Sequence, residues 1–349
     1  MNTPRYRGQP SAAEIASSAG IPVGRVERMD QNTSPMPTNW VPGAIAAVAT
    51  TLNDYPDASY AEVRRAVGRN LGVDPAQVVP GAGGDELILL TARAFLRAGT
   101  TAVAAEPTYP LYRIATLQAG ASFVSAPLTG PDFDYPTNMV IDAARDAEVV
   151  WLCVPANPIG RRPTRDGLEA VIAATDGVVV VDAAYAEFAG DRWVEAVERF
   201  HNLLVIHTLS KAYGLGGARV GYAIGHEDLI GAIDGVRPPG SLSSLSAELA
   251  VVALDHPNRM QDAVKILTGR RSRLAPRLEA LGIRVLASET NFLMCEIGPT
   301  AHAVESALRR DGLVVRRFDA DGPLAHYLRI TVRSPDAHNR LIEALERSL

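Results

Sequence analysis

Between residues 101 and 224, six short apolar runs alternate with helical patterns, and this alternation restricts the possible folds more than any other feature of the chain. The runs lie at 101–105, 123–126, 149–154, 178–181, 203–207 and 220–224, and helical patterns lie between them, as at 86–98, 109–119 and 165–174. Strands that are near-continuous Val, Ile and Leu are buried on both faces, the condition of a mostly parallel sheet covered by helices on each side. The expectation is a three-layer α/β fold whose ligands bind at the carboxyl ends of the strands. After about residue 241 the pattern changes. Longer helices at 243–253 and 260–281 lead to a strand at 290–296, a helix at 301–311, strand pieces at 313–316 and 327–332, and a last helix from 335. That mixture predicts a smaller α+β domain. Residues 1–40, rich in Pro, Ser, Thr and Asn, predict an extended arm joining the small domain. The expected division is thus an arm at 1–40, a large domain at 41–240, and a connecting helix with a small domain at 241–349.

Composition removes several functional classes. Hydrophobic residues make up 47% and charged residues 21%, which suits an ordinary folded protein. The net charge is 34 − 39 = −5 with no dense Lys/Arg run, so nucleic-acid and membrane-surface roles gain no support. No apolar run approaches the ~20 residues needed to span a bilayer, and the first residues have no apolar signal core, so a cytoplasmic location is expected. The two cysteines, Cys153 and Cys295, sit in apolar runs and predict buried thiols. Neither metal-ligand spacing nor a disulfide framework is present in the pattern.

The residues with the most chemical content lie at 207–222. A strand runs into Ser210-Lys211, then a Gly-rich turn, then Arg219 eight residues after the lysine. A strand-end lysine among apolar neighbours loses its proton more easily than one in water, and the neutral amine is what a Schiff base requires. Ser210 and Arg219 could bind one phosphate. Upstream, strand 178–181 delivers Asp182 and then Tyr185, and strand 149–154 delivers Asn157. A buried carboxylate beneath a pyridine ring keeps the ring nitrogen protonated, while an amide and a phenol can hydrogen-bond the ring's phenolic oxygen. Taken singly, a strand-end Asp is often a helix cap and Asn-Pro is usually a turn. It is their order and placement with Lys211 that points to one cofactor site. The turn Gly81-Ala-Gly-Gly-Asp-Glu86 precedes a helix whose N-terminus favours an anion, and Tyr109 could stack on a planar ring. Arg329 lies in an apolar strand, where a charge needs a partner.

With these residues in place, the chain resembles the fold type I pyridoxal-phosphate aminotransferases, and within them it is most similar to the histidinol-phosphate aminotransferases. The likeness runs from Tyr6 through Asn32-Thr-Ser-Pro35, Asn53-Asp-Tyr55-Pro56, the 83–86 turn, Pro107-Thr-Tyr109 and Ala156-Asn-Pro158. It continues through Asp182-Ala-Ala-Tyr185, Thr208-Leu-Ser-Lys211, Arg219, Thr290-Asn-Phe292 and Tyr327–Val332. The resemblance implies that Lys211 holds pyridoxal 5'-phosphate as an imine and moves the proton during transfer. It implies that Asp182 pairs with the ring nitrogen, that Asn157 and Tyr185 hold the phenolic oxygen, and that Tyr109 covers the ring. Gly84, Asp85, Thr208, Ser210 and Arg219 would bind the phosphate, joined by Tyr55 from a neighbouring subunit of a homodimer. Arg329, with Arg316, Tyr6 and Asn32, would bind the substrate's acidic group. The implied reaction moves an amino group from an amino acid or a related amine, such as histidinol phosphate, to a 2-oxo acid.

The chain departs from the family pattern at Ala183, where Glu is usual, at Ile159, where Thr is usual, and at Pro239, where an aromatic is common. Thr33 and Ser34 stand where Glu and Asn are common, and Arg317 beside Arg316 leaves open which of the two faces the site. Two other readings share parts of this motif set. One is a decarboxylase like the threonine-phosphate decarboxylases, and the other is an aminotransferase of specialised amino-acid metabolism. A non-catalytic regulator would need a partner-reading domain, for which the first 40 residues are too short and too weakly basic.

Overall fold

The computed structural model describes residues 8–349, which group into two compact units. The larger comprises residues 36–157 and 162–263. Its seven-stranded sheet has the order Val78–Gly81, Gly221–Gly225, Leu203–Thr208, Val178–Asp182, Val149–Cys153, Thr101–Glu106 and Ser122–Pro127. Pairing is parallel from Leu203–Thr208 to Ser122–Pro127, and only Gly221–Gly225 runs against its neighbours. The apolar runs are continuous because both faces are covered. Val179, Val181, Leu203 and Val205 enter one core, while Val178, Val180, Leu204 and Ile206 enter the other. With helices over both faces, the expected three-layer α/β architecture is present.

The sheet has one strand more than the six expected. Val78–Gly81 contains a proline and only two side chains of strand type, so periodicity alone does not reveal it. The large unit also continues to Ala263, beyond the division expected at 240. The cause is helix Ser244–Leu254, which packs on helices Val41–Val48 and Ala61–Leu71.

The smaller unit comprises residues 8–35, 158–161 and 264–349. Its five strands have the order Glu27–Met29, Leu313–Arg317, Tyr327–Thr331, Phe292–Glu296 and Arg284–Val285. Met29, Leu274, Leu308, Leu328 and Leu341 fill its core. The expectation of an extended arm needs correction here. Ser11 and Glu14 form a capping box that starts helix Ala12–Ala19, and Glu27–Met29 adds a parallel edge strand to Leu313–Arg317. Among the described residues no helix is long and apolar enough to cross a membrane.

Candidate functional site

The parallel strands of the large unit end on one rim, and the chemistry-bearing residues follow those ends. Leu203–Thr208 leads to Ser210 and Lys211, Val178–Asp182 ends on the carboxylate, and Val149–Cys153 leads to Asn157. Lys211 Nζ lies 5.9 Å from the centroid of the Tyr185 ring. Asp182 is buried, and both of its oxygens are engaged. The Tyr112 hydroxyl donates to Oδ2 at 2.6 Å and the Ala184 N–H to Oδ1 at 3.1 Å. Burial pushes the Asp182 pKa up, against the lowering pull of Tyr112 and Ala184. The Asp85 charge adds to the rise, and the Lys211 charge opposes it.

An anion cradle stands beside these groups. Helix Gly84–Phe95 begins after Gly83, whose φ of +84° needs a residue without Cβ. A Cβ at Gly83 would stand 2.9 Å from Arg219 Nη2, and one at Gly84 would stand 3.9 Å from Thr208 Cβ. The helix N-terminus, Thr208 and Arg219 are therefore neighbours. The Thr208 hydroxyl donates to Ser210 Oγ at 2.9 Å, and Arg219, itself at φ +50°, donates to Asp85 Oδ2 at 3.0 Å. Gly221 permits the close approach, since a Cβ there would stand 3.2 Å from Gly84 N. Oriented backbone N–H groups, two hydroxyls and a guanidinium in one place suit a phosphate. The Tyr109 hydroxyl donates to Asp85 Oδ1 at 2.9 Å, fixing its ring at the cradle's edge.

The sequence reading missed two residues of this centre, Tyr112 and Cys153. Tyr112 stacks on Trp151 with centroids 5.4 Å apart and meets Tyr109 edge-on at 5.8 Å. Burial, then the Asp182 charge, holds its phenol well above the usual range, so it remains a donor. Cys153 Sγ accepts the Asn157 N–H at 3.3 Å, and burial with the Asp182 charge pushes the thiol up to about 12. The available signal was a second tyrosine one helical turn after Tyr109.

Each of the other predicted residues has its own local setting. Tyr55, on the large unit, is 98% exposed. In the small unit Arg329 is buried, donates from Nη2 to the Asp30 carbonyl at 2.6 Å, and lies 5.2 Å from the Phe292 ring centroid. Arg316 pairs directly opposite Arg329 across the antiparallel strands, so the two share one face of the sheet. Arg317 pairs with Leu328 on the other face, where it engages His302 and Glu305. Asn32 is buried, with its side chain accepting from the Thr331 hydroxyl at 3.0 Å. Tyr6 lies outside the described residues.

The family model for aminotransferase class I and II matches residues 26–345. A histidinol-phosphate aminotransferase of Roseiflexus castenholzii is 34% identical over 346 residues, covering 95% of this chain and 92% of the relative. One from Chromobacterium violaceum is 34% identical over 323 residues, covering 91% and 90%. The crystal structure of the Sinorhizobium meliloti histidinol-phosphate aminotransferase in complex with pyridoxal-5'-phosphate superposes with a TM-score of 0.89 at 25% identity, covering 98% of this chain and 95% of that one.

Proposed function

The chain belongs to the class I and II aminotransferase family, and from that premise we propose that it is a pyridoxal-phosphate enzyme that takes the amino group of a phosphorylated or carboxylated amine, histidinol phosphate foremost, and passes it to a 2-oxo acid. The observation that carries the reading is the buried Asp182 carboxylate, held by Tyr112 on the same rim as Lys211 and beside the cradle of Gly84, Thr208 and Arg219. When bound, the cofactor supplies a carbon that exchanges amino groups and a ring that withdraws electrons from the substrate α-carbon.

The protein's own groups have distinct tasks. Lys211 Nζ binds the cofactor and acts as the base at the substrate α-carbon. Asp182 would pair its carboxylate with the ring nitrogen and so favour that nitrogen's protonated form. Asn157 and Tyr185 donate to the phenolic oxygen. The N–H groups of Gly84 and Asp85, with Thr208, Ser210 and Arg219, hold the phosphate, and Tyr109 covers the ring. Tyr55, almost fully exposed, reaches the phosphate of a second copy in a homodimer. Arg329 and Arg316, side by side on one sheet face, bind the substrate's carboxylate or phosphate, to which guanidinium forks are matched. A reducing cytoplasm accords with two free thiols.

Amino donors added one at a time, without an oxo acid, should convert the cofactor's absorbance to that of its aminated form, histidinol phosphate fastest among them. Unchanged spectra with every donor would overturn transamination. Release of carbon dioxide with no demand for an oxo acid would replace it with decarboxylation.

A further inference from the structure

The small unit carries an arginine cluster that aminotransferase chemistry does not use. Arg270, Arg273 and Arg277 recur at i, i+3 and i+7 on helix Pro257–Glu279, which sets them on one helical face. Arg273 folds back over Gly269, with Nη1 3.7 Å from where a Cβ would stand. Beside them is His338 on helix Pro335–Glu346, only 4% exposed, whose Nε2 accepts the Arg333 backbone N–H at 2.9 Å. Arg270 donates to the Arg333 carbonyl at 3.4 Å, and the Arg333 guanidinium is tied to Glu27 at 2.6 Å. Among the described residues, no carboxylate stands within ion-pair distance of Arg270, Arg273 or Arg277.

His338 registers what this arrangement does. Burial, then the charges of Arg270, Arg277, Arg273 and Arg333, pushes its pKa down to about 4, with no carboxylate among the causes. Like charges at this helical spacing repel one another, yet they gather here in a chain whose net charge is −5. Arg273 and Arg277 are both exposed, so their forks are open to a ligand from solvent.

We propose that this face of the small unit is a binding site for a multiply charged oxyanion of the phosphate type. Guanidinium groups meet such an ion with paired N–H donors, and its charge relieves their mutual repulsion. The site shares no residue with the cofactor or substrate positions, so it does not depend on the proposed function.

The test uses the cofactor-loaded protein with excess cofactor removed, so that the cradle at Gly84 is filled. Inorganic phosphate is titrated at constant ionic strength, balanced with chloride, and followed by heat of binding. We expect saturable binding that Arg273→Gln/Arg277→Gln weakens at least tenfold while the transamination rate stays unchanged. Phosphate should also raise the pH at which the His338 ring resonances titrate. Glycerol phosphate in a parallel titration separates the sources: tighter binding than inorganic phosphate assigns an ester, and equal or weaker binding assigns the free ion. Should the double variant fail to fold, the two exposed single variants carry the same comparison. Equal binding by wild type and variants, or a response that matched chloride reproduces, would mean an adventitious ion only and would overturn the proposal.

Discussion

The Tyr112 phenol donates a 2.6 Å hydrogen bond to Oδ2 of the Asp182 carboxylate, with both groups buried beneath the rim that carries Lys211. A hydrogen bond to a charged group contributes about 1.5–3 kcal/mol. Tyr112→Phe should therefore lower kcat/KM by roughly tenfold to a hundredfold, with most of the loss in kcat and the fold intact. Steady-state kinetics decides, and a change of less than twofold would mean that the bond is idle.

Asp182 also makes a stability prediction. Burial raises its pKa in the native chain, which then holds the proton more tightly than the unfolded chain does. Its contribution turns unfavourable as pH rises from the ordinary value of 3.8 towards the raised native one. Asp182→Asn removes that cost. Without cofactor, the variant should melt no lower than wild type at neutral pH, the advantage vanishing below pH 3.8, and it should have lost transamination. A clearly lower melting temperature at neutral pH would contradict this.

Gly83→Ala should damage the cradle specifically. The new Cβ would stand 2.9 Å from Arg219 Nη2 at a φ of +84°. Backbone strain of this kind costs about 1–3 kcal/mol, and displacement of Arg219 adds to it. Cofactor affinity should fall at least tenfold, read from fluorescence or absorbance titration of the cofactor-free protein. Unaltered affinity would remove Arg219 from the phosphate site.

Register separates the two neighbouring arginines. Arg316→Ala should raise the KM of an anionic substrate by about tenfold or more, whereas Arg317→Ala should leave KM within about twofold, because Arg317 serves His302 and Glu305 on the other sheet face. The reverse pattern would mean that the opposite face meets the substrate.

Acid should destabilise the small unit through His338. Its native pKa of about 4 lies below the ordinary 6.5, so the unfolded chain binds a proton that the native chain refuses. Stability present above pH 6.5 is lost as pH falls towards 4, by roughly 3 kcal/mol at most. Denaturant titrations of His338→Gln should show a flatter dependence over that window.

The candidate site was legible because its residues sit at the ends of contiguous apolar strands, where Asn157, Asp182 and Lys211 each follow a Val-, Ile- and Leu-rich run of strand length. Tyr112 was not legible, since a helical tyrosine among apolar neighbours looks like core packing until the strand order brings Trp151 and Asp182 to it. Arg316 and Arg317 were inseparable for a different reason. The face of a strand residue depends on pairing register, which adjacent residues of the same type do not disclose. The helix Ala12–Ala19 was overlooked beneath a polar composition, although Ser11 and Glu14 have the spacing of a capping box. The grouping of residues 158–161 with the small unit rests on contacts such as the Glu289 N–H donating to the Gly160 carbonyl at 2.8 Å, a pairing too distant in sequence to read.

Borohydride reduction of the protein loaded with pyridoxal phosphate, followed by peptide mass mapping, reads out which amine holds the cofactor as an imine. One pyridoxyl adduct is expected, on the peptide containing Lys211, and none in Lys211→Ala. An adduct confined to Lys265, the chain's other lysine, or no adduct at all, would contradict it.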